Sequence, residues 1–336
     1  MIWQLVDSSG LGGIERHVEV LTRGLIDRGY ATKVVLLADH GPHLFLERLR
    51  QLDIPVQVLP GGFQKLCSAL HACRPSKLHT HGYKAGIFGR VAARALRVPV
   101  VSSFHAGERG KFPVSLYQWI DEWTGTLVPR VAVSRAVAAA LPGQPILIEN
   151  FLSIPDKSVS RARSRTIAFV GRLSHEKGPD LFCQIASARQ HIAQWHIYGD
   201  GPMRASLELE YGHCVKFHGM VSNLEAVWPS IGLLLMPSRA EGLPMAALEA
   251  MASGVPVIAS AVGGLPDLIS QGVSGWLVDA GSTSGFMKAV DTATSLSDDS
   301  YQAVGDACRC RIERDYNAEQ GIDRILKLYG HGGLEL

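Results

Sequence analysis

Short apolar runs alternate with amphipathic stretches of helical length along the whole chain, and each run has the length of a buried strand. The first seven strands are predicted at 2–6, 32–37, 56–59, 77–80, 100–104, 130–133 and 146–148. A helix is predicted at 14–28, because Val18, Leu21 and Leu25 recur at three- and four-residue steps and Gly29 can end it. Such alternation is typical of parallel sheets covered by helices on both faces.

The pattern stops after Asn150 and begins again near Ile167. Residues 153–165 are rich in Pro, Ser and Arg and have no periodicity, which predicts a linker. Six further strands are predicted at 167–170, 195–198, 215–217, 233–236, 257–259 and 276–278, with helices that include 181–191 and 244–252.

We therefore expect an α/β fold with two doubly wound, Rossmann-like domains that face each other across a cleft. The predicted boundaries are 1–152 for the first domain, 153–165 for the hinge and 166–315 for the second domain. The last helical stretch, within 316–336, follows the second sheet, and no further strand is predicted after it. We therefore expect 316–336 to pack back on the first domain. Open sheets of this kind bind ligands at the carboxyl ends of their strands.

The composition narrows the class of protein. Of 336 residues, 46% are hydrophobic and 19% are charged, which excludes a disordered chain and a coiled coil. Apolar runs such as 233–236 are far shorter than the ~20 residues that span a bilayer. The first residues lack the pattern of a secretory signal, so a cytoplasmic location is expected. Six scattered cysteines without a Cys-x-x-Cys pair suggest neither a zinc ribbon nor a disulfide framework.

Charge is unevenly distributed. Residues 1–155 carry 17 Lys and Arg against 11 Asp and Glu, a net charge of +6, and the remainder carries 16 against 20, a net charge of −4. The positive half suits an anionic partner or the inner membrane surface, and an ordinary solvated surface accounts for it equally well. Its basic residues include Lys65, Arg90, Arg94, Arg97, Arg109 and Lys111. Phe63, Leu66 and Leu70 suggest an amphipathic membrane contact, but a core-facing helix fits their spacing better.

Two glutamates eight positions apart, Glu241 and Glu249, mark a candidate site in the second half. Glu241 is expected in a strand-to-helix loop, and Pro244 suits the first turn of the helix that follows. The free amide groups of that turn, from about Met245 and Ala246, would attract a phosphate. Glu249 lies on an otherwise apolar helix, so its carboxylate needs a partner, either a ligand or a nearby arginine.

The segment from Glu241 to Glu249 resembles the E-x7-E motif of the retaining glycosyltransferases of the GT-B fold, specifically glycosyltransferase family 4. Four more segments resemble the family's motifs in order and spacing: 169–178 (Phe-Val-Gly-Arg-Leu-Ser-His-Glu-Lys-Gly), 198–202 (Tyr-Gly-Asp-Gly-Pro), 217–219 (Phe-His-Gly) and 237–242 (Pro-Ser-Arg-Ala-Glu-Gly). Together they extend the resemblance over most of the chain.

The resemblance implies roles for individual residues. Arg172 and Lys177 would hold the diphosphate of the nucleotide, for which two fixed cations on one loop are suited. Glu249 would hold the ribose hydroxyls, Glu241 a sugar hydroxyl, and His105 would lie beside the donor sugar. The expected catalytic set is thus Arg172, Lys177, His105 and Glu241. The expected donor-binding residues are Gly12, Gly13, Gly171, Arg172, Lys177, Gly199, Met220, Glu241, Gly242, Leu243, Pro244, Met245, Ala246 and Glu249.

A glycine-rich loop at 9–16 follows the first strand, so its backbone amides can approach a charged ligand closely. It resembles the Gly-Gly loop of the family. Taken alone it could also begin a dinucleotide-binding unit with Asp39 as the ribose acid, although the third fingerprint glycine is missing. A nucleotide-cofactor-dependent oxidoreductase is therefore the alternative, with a catalytically silent sugar-nucleotide-binding protein as another. A phosphorylase or an epimerase would also fit the fold.

Histidines fall at or just past the predicted strand ends. His79 and His81 lie on one face of a strand and form a candidate metal pair, but the sequence names no third ligand, so no metal site is predicted. We expect instead that His81, Lys84 and Arg109 border an acceptor pocket. A loop histidine bonded to the backbone is the alternative for His81.

Departure of a diphosphate requires stabilisation of the negative charge on the leaving group. Arg172, Lys177 and the amides near Met245 can provide it, and the sequence has no Asp-x-Asp motif to hold a divalent ion. Catalysis without a metal or other cofactor is therefore predicted. The resemblance implies a front-face reaction that retains the anomeric configuration. The expected donor is a UDP-sugar, with GDP-mannose next, and the expected acceptor is a glycan or lipid-linked glycan of cell-surface polysaccharide or lipopolysaccharide synthesis. Peripheral contact with the inner membrane surface is considered, and no nucleic-acid partner is expected.

Overall fold

The computed structural model describes residues 1–105, 110, 112–154 and 163–330. The chain divides into two compact units, one formed by Met1–Ser153 with Ala318–Leu336 and the other by Ile154–Asn317. Arg109, Lys111 and positions 155–162 of the predicted linker lie outside the described residues. Each unit contains a parallel sheet with helices, which confirms the predicted doubly wound α/β fold class.

The strands of the first unit are β1 (Ile2–Val6), β2 (Thr32–Leu36), β3 (Val56–Val58), β4 (Lys77–His81), β5 (Val100–Phe104), β6 (Arg130–Ala132) and β7 (Ile146–Leu147). Its helices up to that point are α1 (Gly13–Asp27), α2 (Leu44–Gln51), α3 (Gly62–Cys73), α4 (Tyr83–Leu96), α5 (Val114–Gly125) and α6 (Arg135–Ala140). Within the described residues the sheet has the order β3-β2-β1-β4-β5-β6-β7, with parallel neighbours throughout.

The strands of the second unit are β8 (Thr166–Val170), β9 (Gln194–Tyr198), β10 (Val215–Phe217), β11 (Leu233–Met236), β12 (Val257–Ser260) and β13 (Gly275–Val278). Its helices are α7 (Pro179–Ala188), α8 (Arg204–Tyr211), α9 (Met245–Ala252), α10 (Leu265–Leu268), α11 (Thr283–Thr294) and α12 (Asp298–Asp315). The described strands form one parallel sheet in the order β10-β9-β8-β11-β12-β13.

Helix α13 (Ala318–Gly330) leaves the second sheet and belongs to the first unit. It packs closely on α1, because a Cβ on Gly24 would lie 2.0 Å from Ile322 Cδ1. It also packs on Phe151, whose ring would lie 2.1 Å from a Cβ on Gly321. Glycine at these two positions therefore permits a close approach that any larger residue would prevent.

Exposed apolar side chains gather on α5. Leu116, Trp119 and Trp123 follow one another at helical steps and are each about half exposed. On α3, by contrast, Leu66 and Leu70 are fully buried, so that helix faces the core as its spacing favoured. In the part of the chain that is described, no helix has both the length and the apolar character needed to cross a bilayer.

Candidate functional site

In both sheets the strand order reverses beside the first strand, between β1 and β4 in the first unit and between β8 and β11 in the second. At such a reversal the loops diverge and leave a crevice at the carboxyl ends of the strands. The predicted site residues that the structure describes lie on these loops, at these strand ends or on the helices that begin there. Each unit therefore has one candidate site.

The loops after β8, β9 and β11 pack backbone against backbone. Gly199 has a φ of 143°, and a Cβ there would lie 1.9 Å from the carbonyl oxygen of Gly171. Gly178 has a φ of 68°, and its Cβ would lie 2.1 Å from the carbonyl oxygen of Pro237. Only glycine fits both the dihedral angles and the space. These glycines therefore fix the loop that carries Arg172.

Lys177 and Glu241 form an ion pair at the reversal between β8 and β11. Lys177 Nζ donates to Glu241 Oε2 at 2.8 Å, and Ser238 Oγ donates to Glu241 Oε1 at 2.8 Å. The Glu241 side chain is 3% exposed, whereas that of Lys177 is 26% exposed. A buried carboxylate needs such partners. Both of its oxygens are thus held in place while the ammonium group reaches the surface.

Arg239 joins the β11 loop to the β8 loop. Its guanidinium forms two hydrogen bonds with Asp180, at 2.9 and 2.6 Å, and donates to the carbonyl oxygen of His175 at 2.7 Å. Its backbone amide donates to the carbonyl oxygen of Glu176 at 2.7 Å. Bidentate arginine–carboxylate pairs restrict geometry more than single contacts do. Arg239 is therefore a structural clamp between the two loops that supply Lys177 and Glu241.

Arg172 is exposed, and its guanidinium makes no hydrogen bond or ion pair with the residues that the structure describes. Close to it, Glu176 accepts a hydrogen bond from Ser174 Oγ. Burial acts to raise the pKa of Glu176, but this bond and the charges of Arg172 and Lys177 outweigh burial and lower the pKa. Arg172 therefore presents an exposed guanidinium at this loop, a group that binds anionic ligands well.

Helix α9 presents its N-terminus and one buried carboxylate. Pro244 directly precedes the first turn, which corrects the prediction that it lies within that turn, and no side chain caps the helix. The first amides, from Met245 and Ala246, have no acceptor within the helix, and such amides favour an anion. Glu249 is 5% exposed and accepts a hydrogen bond from Trp228 Nε1 at 3.4 Å.

The other predicted donor-binding residues of this unit lie at the same sheet edge. Met220 follows β10 and is 41% exposed. Gly242 accepts a hydrogen bond from the amide of Gly264 at 2.6 Å, and Leu243 beside it is buried. The structure thus brings the second-unit residues of the predicted set to one edge of one sheet.

In the first unit, the glycine loop joins β1 to α1. Gly12 directly precedes α1 in an extended conformation, with a φ of −146°, and Gly13 begins the helix. Asp39, the ribose acid of the oxidoreductase alternative, accepts a hydrogen bond from the amide of Gly41 at 2.9 Å. Its carboxylate therefore closes a turn of its own loop.

His81 and His105 belong to a hydrogen-bond network with Gln4. His81 Nε2 lies 2.8 Å from Gln4 Oε1, which can only accept, so His81 carries its proton on Nε2. His81 Nδ1 then accepts from His105 Nε2, which is 3.1 Å away. The His81 ring is 0% exposed. This corrects the expectation that His81 borders the acceptor pocket, because the ring lies in the interior and orients His105.

The histidines at this edge are neutral near pH 7. Burial lowers the pKa of His17, on α1, to about 4. Burial, together with the neighbouring imidazole of His17, lowers the pKa of His79 to about 3. Burial, followed by the imidazoles of His79, His105 and His17, holds the pKa of His81 well below its usual range. Burial, followed by the imidazoles of His17 and His79, does the same to the pKa of His105. His79 Nδ1 lies 2.7 Å from Tyr329 Oη, and His79 Nε2 lies 2.7 Å from Ser103 Oγ.

Two predicted basic contacts have partners within the protein. Lys84, expected at the acceptor pocket, forms an ion pair with Asp7 at 2.8 Å. Arg90, one of the basic residues expected to face an anionic partner, is 5% exposed and pairs with Asp121 at 2.5 Å. Arg90 therefore stabilises the packing of α4 on α5 and cannot contribute to a charged surface.

Sequence reasoning missed Ser238, Trp228, Gln4 and His17. The sequence contained a signal for three of them. Ser238 lies inside the segment that carries Glu241, and Gln4 and His17 are polar residues within otherwise buried stretches of β1 and α1. Buried polar side chains generally have a structural or chemical purpose. No sequence pattern related Trp228 to Glu249.

Comparisons with known proteins bear on both units. A family model described as Glycosyltransferase Family 4 matches residues 11–145, and one described as Glycosyl transferases group 1 matches residues 164–295. An Escherichia coli UDP-Gal:alpha-D-GlcNAc-diphosphoundecaprenol alpha-1,3-galactosyltransferase is 25% identical over 293 residues, which cover 75% of this chain and 74% of that protein. A Mycobacterium leprae D-inositol 3-phosphate glycosyltransferase is 27% identical, over 75% of this chain and 68% of its own length.

The fold is similar to that of the Anabaena protein Alr3699/HepE, solved in complex with UDP-glucose. The TM-score is 0.86 at 20% sequence identity, over 98% of this chain and 99% of the other. The apo form of the lipopolysaccharide outer core galactosyltransferase WaaB is similar with a TM-score of 0.69 at 19% identity, over 98% of this chain and 99% of the other.

Proposed function

This chain belongs to glycosyltransferase family 4 and has the GT-B fold, and on that premise we propose that it moves a sugar from a UDP-sugar to a glycan or lipid-linked glycan with retention of configuration. The observation that carries the proposal is the pair of Lys177 and Glu241, held at the strand reversal of the second sheet at 2.8 Å. It places a cation and an oriented carboxylate where a doubly wound sheet binds its ligand.

Charge on the departing diphosphate is neutralised by Arg172 and Lys177, with the first amides of α9 as further donors. Arg172 makes no ion pair with the described residues, so binding an anion would not cost it an existing partner. Lys177 carries three N–H donors, so it can bond Glu241 and a phosphate oxygen at once. These groups can stabilise the leaving group without a divalent ion, and catalysis is proposed to be metal-independent.

Glu241 binds a hydroxyl of the transferred sugar. Ser238 and Lys177 each hold one of its oxygens, so the carboxylate keeps a fixed orientation. Retaining glycosidases that form a covalent intermediate use two carboxylates about 5 Å apart. In the reaction proposed here Glu241 is not such a nucleophile. The acceptor proton goes to an oxygen of the departing phosphate, and the acceptor attacks the face of the sugar from which the phosphate leaves. His105 contacts the donor sugar, and His81 acts through His105.

Glu249 binds the ribose hydroxyls of the nucleotide. It is buried on the first two turns of α9, the same helix whose first amides face the diphosphate. A carboxylate can accept hydrogen bonds from both ribose hydroxyls, and Trp228 helps to hold it. The first two turns of α9 can therefore bind one nucleotide, with its diphosphate at the helix N-terminus and its ribose at Glu249.

Support for the donor and acceptor classes comes from the relatives. The Escherichia coli relative is named for UDP-Gal and a diphosphoundecaprenol-linked acceptor, and the Anabaena structure contains UDP-glucose. A GDP-mannose donor is the second candidate. The exposed side chains of Trp119 and Trp123 on α5 also favour a peripheral contact with the inner membrane face, because tryptophan is enriched at membrane interfaces.

The decisive experiment supplies the purified chain with a panel of nucleotide sugars, with and without a chelator, and follows release of the nucleoside diphosphate. We expect release from a UDP-sugar, undiminished by the chelator. Release from no nucleotide sugar would contradict the proposal, and so would loss of activity on chelation for its metal-independent part. Cleavage that requires inorganic phosphate would identify a phosphorylase, and an epimeric nucleotide sugar an epimerase.

The membrane contact is tested separately by sedimentation with vesicles of phosphatidylglycerol and phosphatidylethanolamine. Replacing both tryptophans, Trp119→Gln with Trp123→Gln, should reduce the bound fraction severalfold. Leu209→Gln is the matched control, because Leu209 is 91% exposed on α8 of the other unit. Equal binding by both variants would count against α5 as the contact.

A further inference from the structure

Three imidazoles from separate elements converge at the carboxyl edge of the first sheet: His17 on α1, His81 at the end of β4 and His105 just after β5. We call them the histidine cluster. One ring nitrogen from each lies within 4.8 Å of the others. The ring centroids are 4.9 Å apart for His17 and His105, 5.4 Å for His81 and His105, and 5.9 Å for His17 and His81.

These separations suit a tetrahedral metal site. Zinc binds imidazole nitrogen at about 2.0–2.1 Å, so two nitrogen ligands of a tetrahedral ion lie about 3.4 Å apart. His81 Nδ1 and His105 Nε2 are 3.1 Å apart, which is close to that value. The third ligand would need only a small movement of the His17 ring. Three histidines also leave a fourth coordination position open.

The cluster offers only nitrogen ligands. A metal-binding imidazole is neutral and presents a lone pair on the ring nitrogen that faces the ion. Lys84 on α4 and Asp7 after β1 form an ion pair with each other. No described carboxylate belongs to the cluster, so its ligands are three neutral nitrogens. Such a set favours zinc and similar transition-metal ions over magnesium or calcium.

Unsatisfied nitrogen atoms point to a ligand. Both ring nitrogens of His17 and Nδ1 of His105 are buried without a hydrogen-bond partner among the described residues. Leaving such groups unpaired in the interior is unfavourable. An ion bound between the rings would occupy one nitrogen of His17. His105 would shift its proton from Nε2 to Nδ1 on binding, so no proton need be released.

An outer contact already orients one ligand. His81 Nε2 donates to Gln4 Oε1 at 2.8 Å, which leaves Nδ1 as the atom that faces His105. Gln4 is held in turn by Tyr329 Oη, which accepts from Gln4 Nε2 at 3.2 Å. Metal-binding histidines generally have a fixed partner on the second nitrogen. Helix α13 thus contributes, through Tyr329, to the order of the cluster.

We propose that His17, His81 and His105 form a site for Zn²⁺ or a similar transition-metal ion, and that an ion bound there inhibits sugar transfer. The binding stands on the geometry of the cluster alone. The inhibition rests on the proposed function, because an ion would hold His105 and withdraw it from the donor sugar. The bound ion is therefore regulatory and takes no part in the reaction.

Direct binding is measured first, on the full chain after removal of metal by a chelator. Competition of Zn²⁺ with a chromophoric chelator should give one tight site per chain, and Co²⁺ should give the visible absorption of a tetrahedral complex. His17→Ala should weaken the Zn²⁺ affinity at least a hundredfold and abolish that absorption. His17→Gln is the second variant, which preserves volume if the first lowers the yield of folded protein.

The controls separate the cluster from other histidines. His213→Ala removes an exposed imidazole, and His218→Ala removes half of the pair with His196, whose nitrogens are 3.3 Å apart. Both should leave the tight site intact. Equal affinity in the wild type and in both His17 variants, or no stoichiometric binding by the wild type, would overturn the proposed site.

Transfer assays test the inhibition. Zn²⁺ should inhibit the wild type and not His17→Ala at the same concentration, and chelator should reverse the effect. Stoichiometric binding without inhibition would refute the regulatory part and leave the site. A chain that binds Zn²⁺ but transfers no sugar from any donor would refute the proposed function instead, so the two failures are distinguishable.

Discussion

The two sheet edges share a topology and differ in chemistry. Each lies where a doubly wound parallel sheet reverses its strand order, and each begins with a glycine-rich connection from the first strand. The edge of the second unit carries fixed charges, with Lys177 and Glu241 in an ion pair and Arg172 exposed beside them. The edge of the first unit is lined by buried, neutral imidazoles.

In both units the topology of the sheet determines where the site lies, and the side chains determine what it binds. A diphosphate carries charge that only cations and oriented amides can neutralise. Neutral imidazoles instead offer lone pairs and N–H groups, which suit hydroxyls or a transition-metal ion such as Zn²⁺. Burial affects the two edges differently. It keeps the imidazoles of the first unit neutral, whereas the buried carboxylate of Glu241 is stabilised by its two partners, Lys177 and Ser238.

The largest expected effect is that of removing a charge from the second edge. Arg172→Ala should lower kcat/KM by on the order of a hundredfold or more, as loss of a charged contact to the leaving group does. Initial rates over a range of donor concentrations measure it. Arg165→Ala is the control, because Arg165 is exposed and precedes β8 at the opposite edge of the sheet. Near-normal transfer by Arg172→Ala would contradict the assignment of Arg172 to the leaving group, on which the comparison of the two edges depends.

For the sheet edge of the first unit, the expected effect is on the pH dependence of the free energy of unfolding. An unfolded chain protonates His17 near the ordinary pKa of 6.5, whereas the folded chain does so only at about 4. Between these values the unfolded state binds more protons, so stability falls as the pH decreases from 6.5 toward 4. At pH 5 this histidine should cost about 2 kcal/mol.

His17→Leu cannot titrate at that position, so its loss of unfolding free energy between pH 7 and pH 5 should be smaller than that of the wild type by about 2 kcal/mol. Urea unfolding at the two pH values measures the difference. His213→Leu, which changes an exposed histidine, should behave like the wild type. An identical pH dependence in His17→Leu and the wild type would mean that His17 is not held neutral.

A smaller effect is expected at the ribose contact. Glu249→Gln keeps the size of the side chain but weakens its acceptors, and it should raise the donor KM about tenfold, or about 1.4 kcal/mol, with little change in kcat. Glu210→Gln, at an exposed position of α8, is the matched control. An unchanged donor KM would argue against ribose binding by Glu249.

The smallest effect concerns the orientation of Glu241. Ser238→Ala removes one hydrogen bond to the carboxylate and leaves the bond from Lys177, so kcat/KM should fall about fivefold, or about 1 kcal/mol. Thermal unfolding should be measured alongside, because a buried bond also contributes to stability. Ser206→Ala, at an exposed serine of α8, controls for a general effect of the substitution. Full activity in Ser238→Ala would show that Lys177 alone orients Glu241.

The strand pattern could be predicted because buried parallel strands are short, apolar and separated by helices of the opposite periodicity. The predicted runs at 2–6, 100–104, 215–217 and 233–236 coincide with β1, β5, β10 and β11, and the others differ by one residue at an end. Local chemistry also indicated the second edge, since Arg172, Lys177 and Glu241 lie on loops directly after strands. It did not indicate which of these charges bond each other.

The two doubly wound sheets and the edges where polar residues collect follow from the order of the residues, because hydrophobic periodicity and glycine positions act over a few residues. The partners of individual side chains were assigned only by the folded structure. It paired Lys84 with Asp7 and Arg90 with Asp121, placed His81 in the interior, and brought His17 to His105 across 88 positions of the chain. Such contacts depend on how whole elements pack, and no local pattern of residues encodes the distance between two of them.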